Sequence, residues 1–405
     1  MSFSKRIQRE LSESVMMLPQ EQLQRVGHKK KRLFIGIPKE ISLQENRVAL
    51  VPEAVQLLVN NDHRVVIETG AGEASHFSDN EYSEAGAQIA YTTKEVYEAD
   101  LILKVEPISV EEMEHLKPKQ VLISAMQLNV HPKDYIKNLM KKKVTAIAWD
   151  YIADEDGILP IVRSMGEIAG TTSILIAAEY LSNSKGQGIM LGGITGVAPT
   201  QVAIIGAGTV GEFAARAAIG LGADVRVFDN SISKLRRLQN SIGQRVSTST
   251  IQPKVLSKAL MRADVVIGAI RSIAGRTPCY VSDEMVRNMK PSSVIVDVSI
   301  DQGGCFETSR ITTHDKPTFT VHDVIHYCVP NIASRASRTA SHALSNVMAP
   351  IAMQMSEEGG VEEMIRNHYG IQNGVYLFNG ALTNKYLGES LNIPYKDLKL
   401  LLAAF

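Results

Sequence analysis

The chain has 405 residues, 44% of them hydrophobic and 21% charged, with a formal net charge of +0. That length exceeds one ordinary core, so two domains are expected, and the balanced charge gives no reason to look for a nucleic-acid partner. Three cysteines, Cys279, Cys305 and Cys328, are too few for a disulfide framework and lack the paired spacing of a zinc site, which fits a reducing compartment and predicts no metal.

Residues 1–32 are expected to form a helical extension, with an amphipathic stretch of mixed charge that could serve as a subunit contact. It has no apolar block of the secretion type, and Glu10, Glu13 and Glu21 make it too acidic for a mitochondrial presequence. No apolar run nears the ~20 residues that cross a bilayer, so a soluble, cytoplasmic protein is expected. The basic run from His28 to Arg32 reads as a solvated linker.

From Leu33 the pattern alternates. Strands are expected at 33–37, 64–70, 101–105, 120–125 and 144–149, with helices at 52–61 and 133–143. Such alternation implies a parallel sheet covered on both faces, and residues 33–164 are assigned to the first part of a substrate domain. A long apolar helix at 165–183 and a glycine-rich stretch at 185–200 bridge to a second domain, assigned to 165–334. Its strands are expected at 202–205, 225–228, 263–270, 292–300 and 319–324. A helix at 341–358 opens the last segment, 335–405, which is expected to return to the substrate domain. The fold class is α/β: two Rossmann-like, doubly wound parallel-sheet domains with a cleft between them, joined by long helices.

Within the second domain, the strand at 202–205 meets Gly206-Ala207-Gly208-Thr209-Val210-Gly211, an alanine-rich helix, and a second strand ending on Asp229. Strand, glycine turn, helix, strand and acid together make a dinucleotide fingerprint. Gly206 serves the tight turn, Gly208 the approach of a pyrophosphate, and Gly211 the packing of helix on sheet. Asp229 lies 18 residues past Gly211, near the ~20 expected for the acid that holds the adenosine ribose. A carboxylate there favours NAD over NADP, although Arg226, Lys234 and Arg236 lie nearby.

A nicotinamide in the cleft leaves room for a small substrate, which needs a cation for its carboxylate and a group that handles protons. Arg47 precedes a helix and suits bidentate carboxylate binding, or is a surface cation. Lys104 sits inside an apolar strand, where it costs energy unless paired. Asp301 follows the carboxyl end of a strand, the position where open α/β sheets bind ligands, or it caps a turn. Asn331 could donate to the nicotinamide or substrate, or merely shape its loop.

The stretches IGIPKEISLQENRVALVPEAV, IETGAGEASHFSDNEYSEAGAQI, LILKVEP, MGEIAG, VAIIGAGTVG, VIVDVSIDQGGCFETSR and TFTVHDVIHYCVPN give the chain its resemblance. From Leu33 onward it resembles the alanine dehydrogenase/proton-translocating transhydrogenase family, and the alanine dehydrogenases most. The resemblance implies a split catalytic domain, a central NAD domain, a homo-hexamer, and oxidative deamination of L-alanine or a related small 2-amino acid. Arg47 matches the arginine on the substrate carboxylate, and Lys104 the lysine on the substrate's carbonyl and carboxylate oxygens. Asp301 matches the aspartate at the reacting centre, Asn331 the asparagine beside the nicotinamide, and Asp229 the ribose acid. One departure matters: Gln127 stands where alanine dehydrogenases carry a catalytic histidine, and an amide cannot exchange protons near neutral pH. His131 could stand in if the loop differs. Arg271, in an altered loop, and Gly166, where a serine is commoner, are smaller departures. The alternatives are the NAD-binding component of a transhydrogenase, or an NAD-binding relative with altered substrate or lost turnover.

Overall fold

The computed structural model describes residues 30–42, 45–126, 133–272 and 276–403. The extension helix expected within 1–32 falls almost wholly outside these residues, as do Gln127 and His131.

Six strands open the chain: β1 (Phe34–Ile37), β2 (Arg64–Glu68), β3 (Gln88–Ala90), β4 (Leu101–Leu103), β5 (Val121–Ser124) and β6 (Thr145–Ala148). They pair in parallel in the order β6-β5-β4-β1-β2-β3. Strands β4, β5 and β6 are buried at every residue. Both faces of a parallel sheet are covered, which is why these segments read as unbroken apolar runs. The chain winds outward from β1 through β2 and β3, then crosses back to place β4 on the other flank of β1. Strand order therefore reverses between β1 and β4, and their carboxyl ends frame a crevice.

Helix α1 (Pro160–Ser182) carries the chain to the second sheet. Its first-turn proline costs no hydrogen bond, because that N–H would be orphaned anyway. The second sheet comprises β7 (Gln201–Ile205), β8 (Asp224–Phe228), β9 (Ser247–Ser249), β10 (Val265–Gly268), β11 (Val294–Asp297), β12 (Thr318–Val321) and β13 (Val324–Tyr327), in the order β12-β13-β11-β10-β7-β8-β9. Order reverses again, here between β7 and β10. Helix α2 (Thr209–Gly220) follows the glycine loop and packs against α1. Gly170 makes that approach possible: a Cβ there would stand 2.4 Å from the Val210 carbonyl oxygen. Helix α3 (Ser337–Glu357) then leads back, and β14 (Val375–Phe378) and β15 (Ala381–Leu382) extend the first sheet beyond β6.

The sheets are mixed at their edges, where the all-parallel expectation is corrected. The strand expected at 319–324 is the middle of a hairpin. Val321 lies opposite Val324, and His322 and Asp323 take φ of 52° and 59°, the geometry of a tight two-residue turn. Strand β14 runs antiparallel to β6 and turns into β15 through Asn379 and Gly380, both at positive φ. The strand expected over 292–300 stops at Asp297. Its carboxylate accepts the Ser299 N–H at 3.0 Å and bends the chain into a 3-10 turn, Val298–Gln302. Among the described residues, no helix is long and apolar enough to cross a membrane.

The contact of α1 with α2 generates a paired prediction. Gly170→Val should lower the unfolding free energy by about 2–3 kcal/mol through overpacking against backbone. Gly166→Ser should be tolerated, because its Cβ would meet the Thr209 side chain at 3.4 Å, an ordinary contact. Denaturant midpoints of the two variants check both statements.

Candidate active site

The two crevices bring different chemistry to one cleft. In the second sheet the loop after β7 is a cradle with open space over it. Gly206 has φ of +117°, and a Cβ on it would strike the Ala269 carbonyl oxygen at 2.3 Å. A Cβ on Gly211 would lie 1.9 Å from the Gly206 carbonyl oxygen, so α2 approaches its loop as closely as backbone permits. At Gly208 a Cβ would meet nothing within 4 Å: the surface there is bare backbone facing free volume. No side chain caps α2, so the amides of its first turn have no side-chain acceptor and can serve an anion. Asp229 follows β8 directly and accepts the Ala207 N–H at 2.8 Å and the Ser231 N–H at 2.8 Å. Each carboxylate oxygen keeps acceptor capacity for a hydroxyl. These features fit a dinucleotide. Arg237, rather than Arg226, is the cation that reaches the loop, donating to the Ala207 carbonyl at 3.2 Å.

In the first sheet the switch point carries charge. Lys104 follows β4 and is buried; its Nζ lies 2.7 Å from Glu40, which follows β1, and 3.4 Å from Glu112. Burial alone would push an ammonium down, but the two carboxylates outweigh it and hold Lys104 above its usual range. Burial pushes Glu40 up, and Lys104 only partly offsets that. Both values move up, which favours the charged form of the lysine, held by two acids, and the neutral form of Glu40, which has one lysine. Lys104 is therefore the more firmly charged partner, with one Nζ donor beyond these two acids.

Arg47 lies in an irregular segment between β1 and the helix Pro52–Asn60. Glu45, two residues earlier, takes one edge of its guanidinium. Arg47 Nε donates to Glu45 Oε1 at 2.7 Å, the Arg47 backbone N–H donates to the same oxygen at 2.8 Å, and a terminal nitrogen donates to Oε2. The other terminal nitrogen contacts the Met165 sulfur at 3.1 Å, a weak acceptor. A guanidinium of this planar fork shape matches a carboxylate. Burial drives the Glu45 carboxyl up, but Arg47 outweighs it and Glu45 stays below the usual range.

An irregular buried segment needs partners for its amides, and α3 with the 3-10 turn before it, Ile332–Ala336, supplies them. Val48 and Val51 N–H donate to Ser341 Oγ at 3.0 Å and Ser345 Oγ at 2.8 Å, and Asn46 N–H donates to Ser334 Oγ at 2.8 Å. Ser341 and Ser345 are one helical turn apart, and each donates to the carbonyl four residues back at 2.8 Å. This serine ladder fixes the arm that bears Arg47.

The two halves meet across Glu45. Asn331, in the left-handed conformation that asparagine tolerates, donates from Nδ2 to Glu45 Oε2 at 2.7 Å, and its backbone N–H donates to Asp301 Oδ1 at 2.8 Å. Asp301 is accessible from the cleft but ringed by protein. That enclosure raises its carboxyl, against the Asn331 N–H and the Arg47 and Arg271 cations. Gln302 holds the loop that carries Arg271, accepting the Ser272 N–H at 2.8 Å. Arg47, Lys104, Asp301, Asn331 and Arg271 are thus drawn to one region, with Asp229 and the glycine loop on the same side of the second sheet. The acids Glu40, Glu45, Glu106 and Glu112 were missed in the sequence. The signal for them was Lys104 itself: a cation buried beside a strand requires carboxylates, and Glu40, Glu45 and Glu106 lie in the same conspicuous stretches.

Removing Lys104 should expose that dependence. Lys104→Met leaves Glu40 and Glu112 buried without their cation and should cost about 3–5 kcal/mol. Adding Glu40→Gln should restore part of the loss, as a double-mutant cycle of unfolding free energies would show.

Comparison with known proteins places this geometry. Residues 36–169 match the alanine dehydrogenase/PNT N-terminal domain and residues 173–385 the corresponding C-terminal domain. An alanine dehydrogenase of Staphylococcus saprophyticus is 40% identical over 91% of this chain and 99% of its own length. One from Methanococcus maripaludis is 41% identical over 90% and 98%. Among solved structures, an L-alanine dehydrogenase superposes with a TM-score of 0.83 at 34% identity, covering 89% of this chain and 99% of that one. A transhydrogenase from Sinorhizobium meliloti shares the fold, with a TM-score of 0.75 at 24% identity over 87% and 99%. The chain belongs to the alanine dehydrogenase/PNT family.

Proposed function

We propose that the protein catalyses NAD-dependent oxidative deamination of L-alanine, or a related small 2-amino acid, to the 2-oxo acid and ammonia, together with the reverse reductive amination. One observation supports this above the others: the Arg47 guanidinium from the first sheet and Asn331 from the second are held on the same carboxylate, Glu45, with Asp301 bonded to Asn331 beside them. The glycine loop, the uncapped start of α2 and Asp229 would hold the pyrophosphate and ribose of the cofactor. Bound there, NAD supplies the two-electron oxidant that accepts hydride from the substrate's α-carbon.

The chain's own residues do the rest. Arg47 anchors the substrate carboxylate and so fixes which face of the α-carbon is presented. Lys104 turns its third donor to the substrate's carbonyl and carboxylate oxygens while Glu40 and Glu112 keep it charged. Asp301 orders the Asn331 turn and manages a proton or water from the cofactor side. Asn331 supports the nicotinamide side, and Gln127 orients a carbonyl or water by hydrogen bonds.

Steady-state rates with alanine and NAD, and with pyruvate, ammonia and NADH, test the reaction. Absence of turnover with every small 2-amino acid would end the proposal. Arg47→Lys keeps a cation but loses the fork, and should lower kcat/KM by roughly 10- to 100-fold, the worth of a charge-assisted hydrogen bond. Asp229→Ala should weaken NAD binding by roughly 10-fold or more on the same grounds, read as a rise in the NAD dissociation constant by calorimetry.

A further inference from the structure

Asp297 closes β11 four residues before Asp301 and is 1% exposed. Its Oδ1 accepts the Ser299 N–H at 3.0 Å and faces the Cys305 thiol at 3.8 Å. Its Oδ2 accepts the Cys305 N–H at 3.2 Å and the Ser309 hydroxyl at 2.7 Å. Two glycines leave room for this carboxylate. A Cβ on Gly268 would stand 2.6 Å from Oδ1, and one on Gly304 would stand 2.6 Å from Oδ2.

The two backbone N–H groups can only donate, one to each oxygen, so the deprotonated acid is the form that satisfies them. Burial pushes the carboxyl up to about 6, against the hydrogen bonds from Ser309, Cys305 and Ser299. A buried carboxylate among neutral donors is a costly way to end a strand, and what it secures is the loop between those donors. Ser299 opens that loop and Cys305 ends it, so one carboxylate closes it at both ends. Within it, Gly303 and Gly304 take φ of 93° and 75°. Two parts of the cleft hang on the loop. Asp301 Oδ1 accepts the Asn331 N–H at 2.8 Å. Ser299 Oγ accepts the Ile270 N–H at 2.9 Å and Gln302 Oε1 accepts the Ser272 N–H at 2.8 Å, one on each side of Arg271.

We infer that Asp297 is a positioning residue for the reaction: by closing the 299–305 loop at both ends, it holds Asp301, the Asn331 turn and the Arg271 loop in one arrangement. Asp297 acts through Asp301 and not on the substrate, because its own oxygens are enclosed by their donors. A loop tied at one end pivots. Tied at both, it keeps Asp301 within the roughly 0.5 Å that a productive site requires. The glycine loop and Asp229 follow β7 and β8, away from this clamp, so cofactor binding and turnover should respond differently to its loss.

This role rests on the dehydrogenase reading, and the test separates the two. Ser309→Ala removes the shortest bond to the carboxylate. It should lower kcat and kcat/KM for the amino acid equally, by roughly 10-fold, the worth of a hydrogen bond to a charged group. Asp297→Asn, whose amide nitrogen cannot accept, should lower both by roughly 100-fold. Ser309→Thr keeps the hydroxyl and should restore both. The NAD dissociation constant, read by calorimetry, should stay near wild type throughout. Amide exchange followed by mass spectrometry without substrate should quicken over 298–305 and 269–272 in Ser309→Ala and stay unchanged over 206–211. Unchanged rates in Ser309→Ala and Asp297→Asn, or unchanged exchange, overturn the role and leave the dehydrogenase reading intact. So does a loss that NAD binding shares and Ser309→Thr does not rescue. If Asp297→Asn fails to fold, the two Ser309 variants decide. Absence of wild-type turnover, with the expected exchange, removes the dehydrogenase reading and this role with it.

Discussion

Glu45 is enclosed in the cleft and never meets bulk water, so every donor around it has to come from the protein. Among those donors are the Arg47 backbone and guanidinium from its own arm, the Ser334 hydroxyl, and the Asn331 amide from the second sheet. A buried anion is tolerable only when its lone pairs are used, and here their use fixes three things together. It orients the arginine fork, holds the Asn331 turn over the cleft, and ties the crevice of the first sheet to that of the second. The remaining charges fall into place around this carboxylate.

The same topology occurs twice and yields different surfaces. Between β7 and β10 the reversal opens onto bare backbone, glycine and an uncapped helix, which suit phosphate. Between β1 and β4 it opens onto charged side chains, which suit a small zwitterion. Ligands gather at such reversals because two loops there diverge in opposite directions and leave a gap.

The fold was largely legible in the sequence because buried parallel strands appear as apolar runs and the glycine fingerprint has fixed spacing. The edges were less so. The pair His322-Asp323 is not a usual turn signal, and it hid a hairpin inside what reads as one strand. Asn379-Gly380 is such a signal, yet it lies in a tail dominated by helical patterns. Among candidate site residues, Arg47, Lys104, Asp301 and Asn331 do converge in the structure, whereas the acids that hold them escaped notice. Periodicity reports which face of an element is buried; it says nothing about which distant charge neutralises which. Lys104 and Glu40 are 64 residues apart in the chain, and only the crossover between β1 and β4 brings them together.

The serine ladder has a consequence in time. Val48 and Ser341 are separated by 293 positions, so on the ribosome the arm carrying Arg47 is made long before the helix that satisfies its amides. Until α3 emerges, the first sheet can assemble from β1 to β6 through local crossovers, but the arm stays solvated and the arginine unplaced. Long-range closure of this kind is slow compared with local pairing. The arm that carries Arg47 is among the first segments synthesised and among the last to become rigid, so a nascent or truncated chain presents a folded sheet before that arm is fixed.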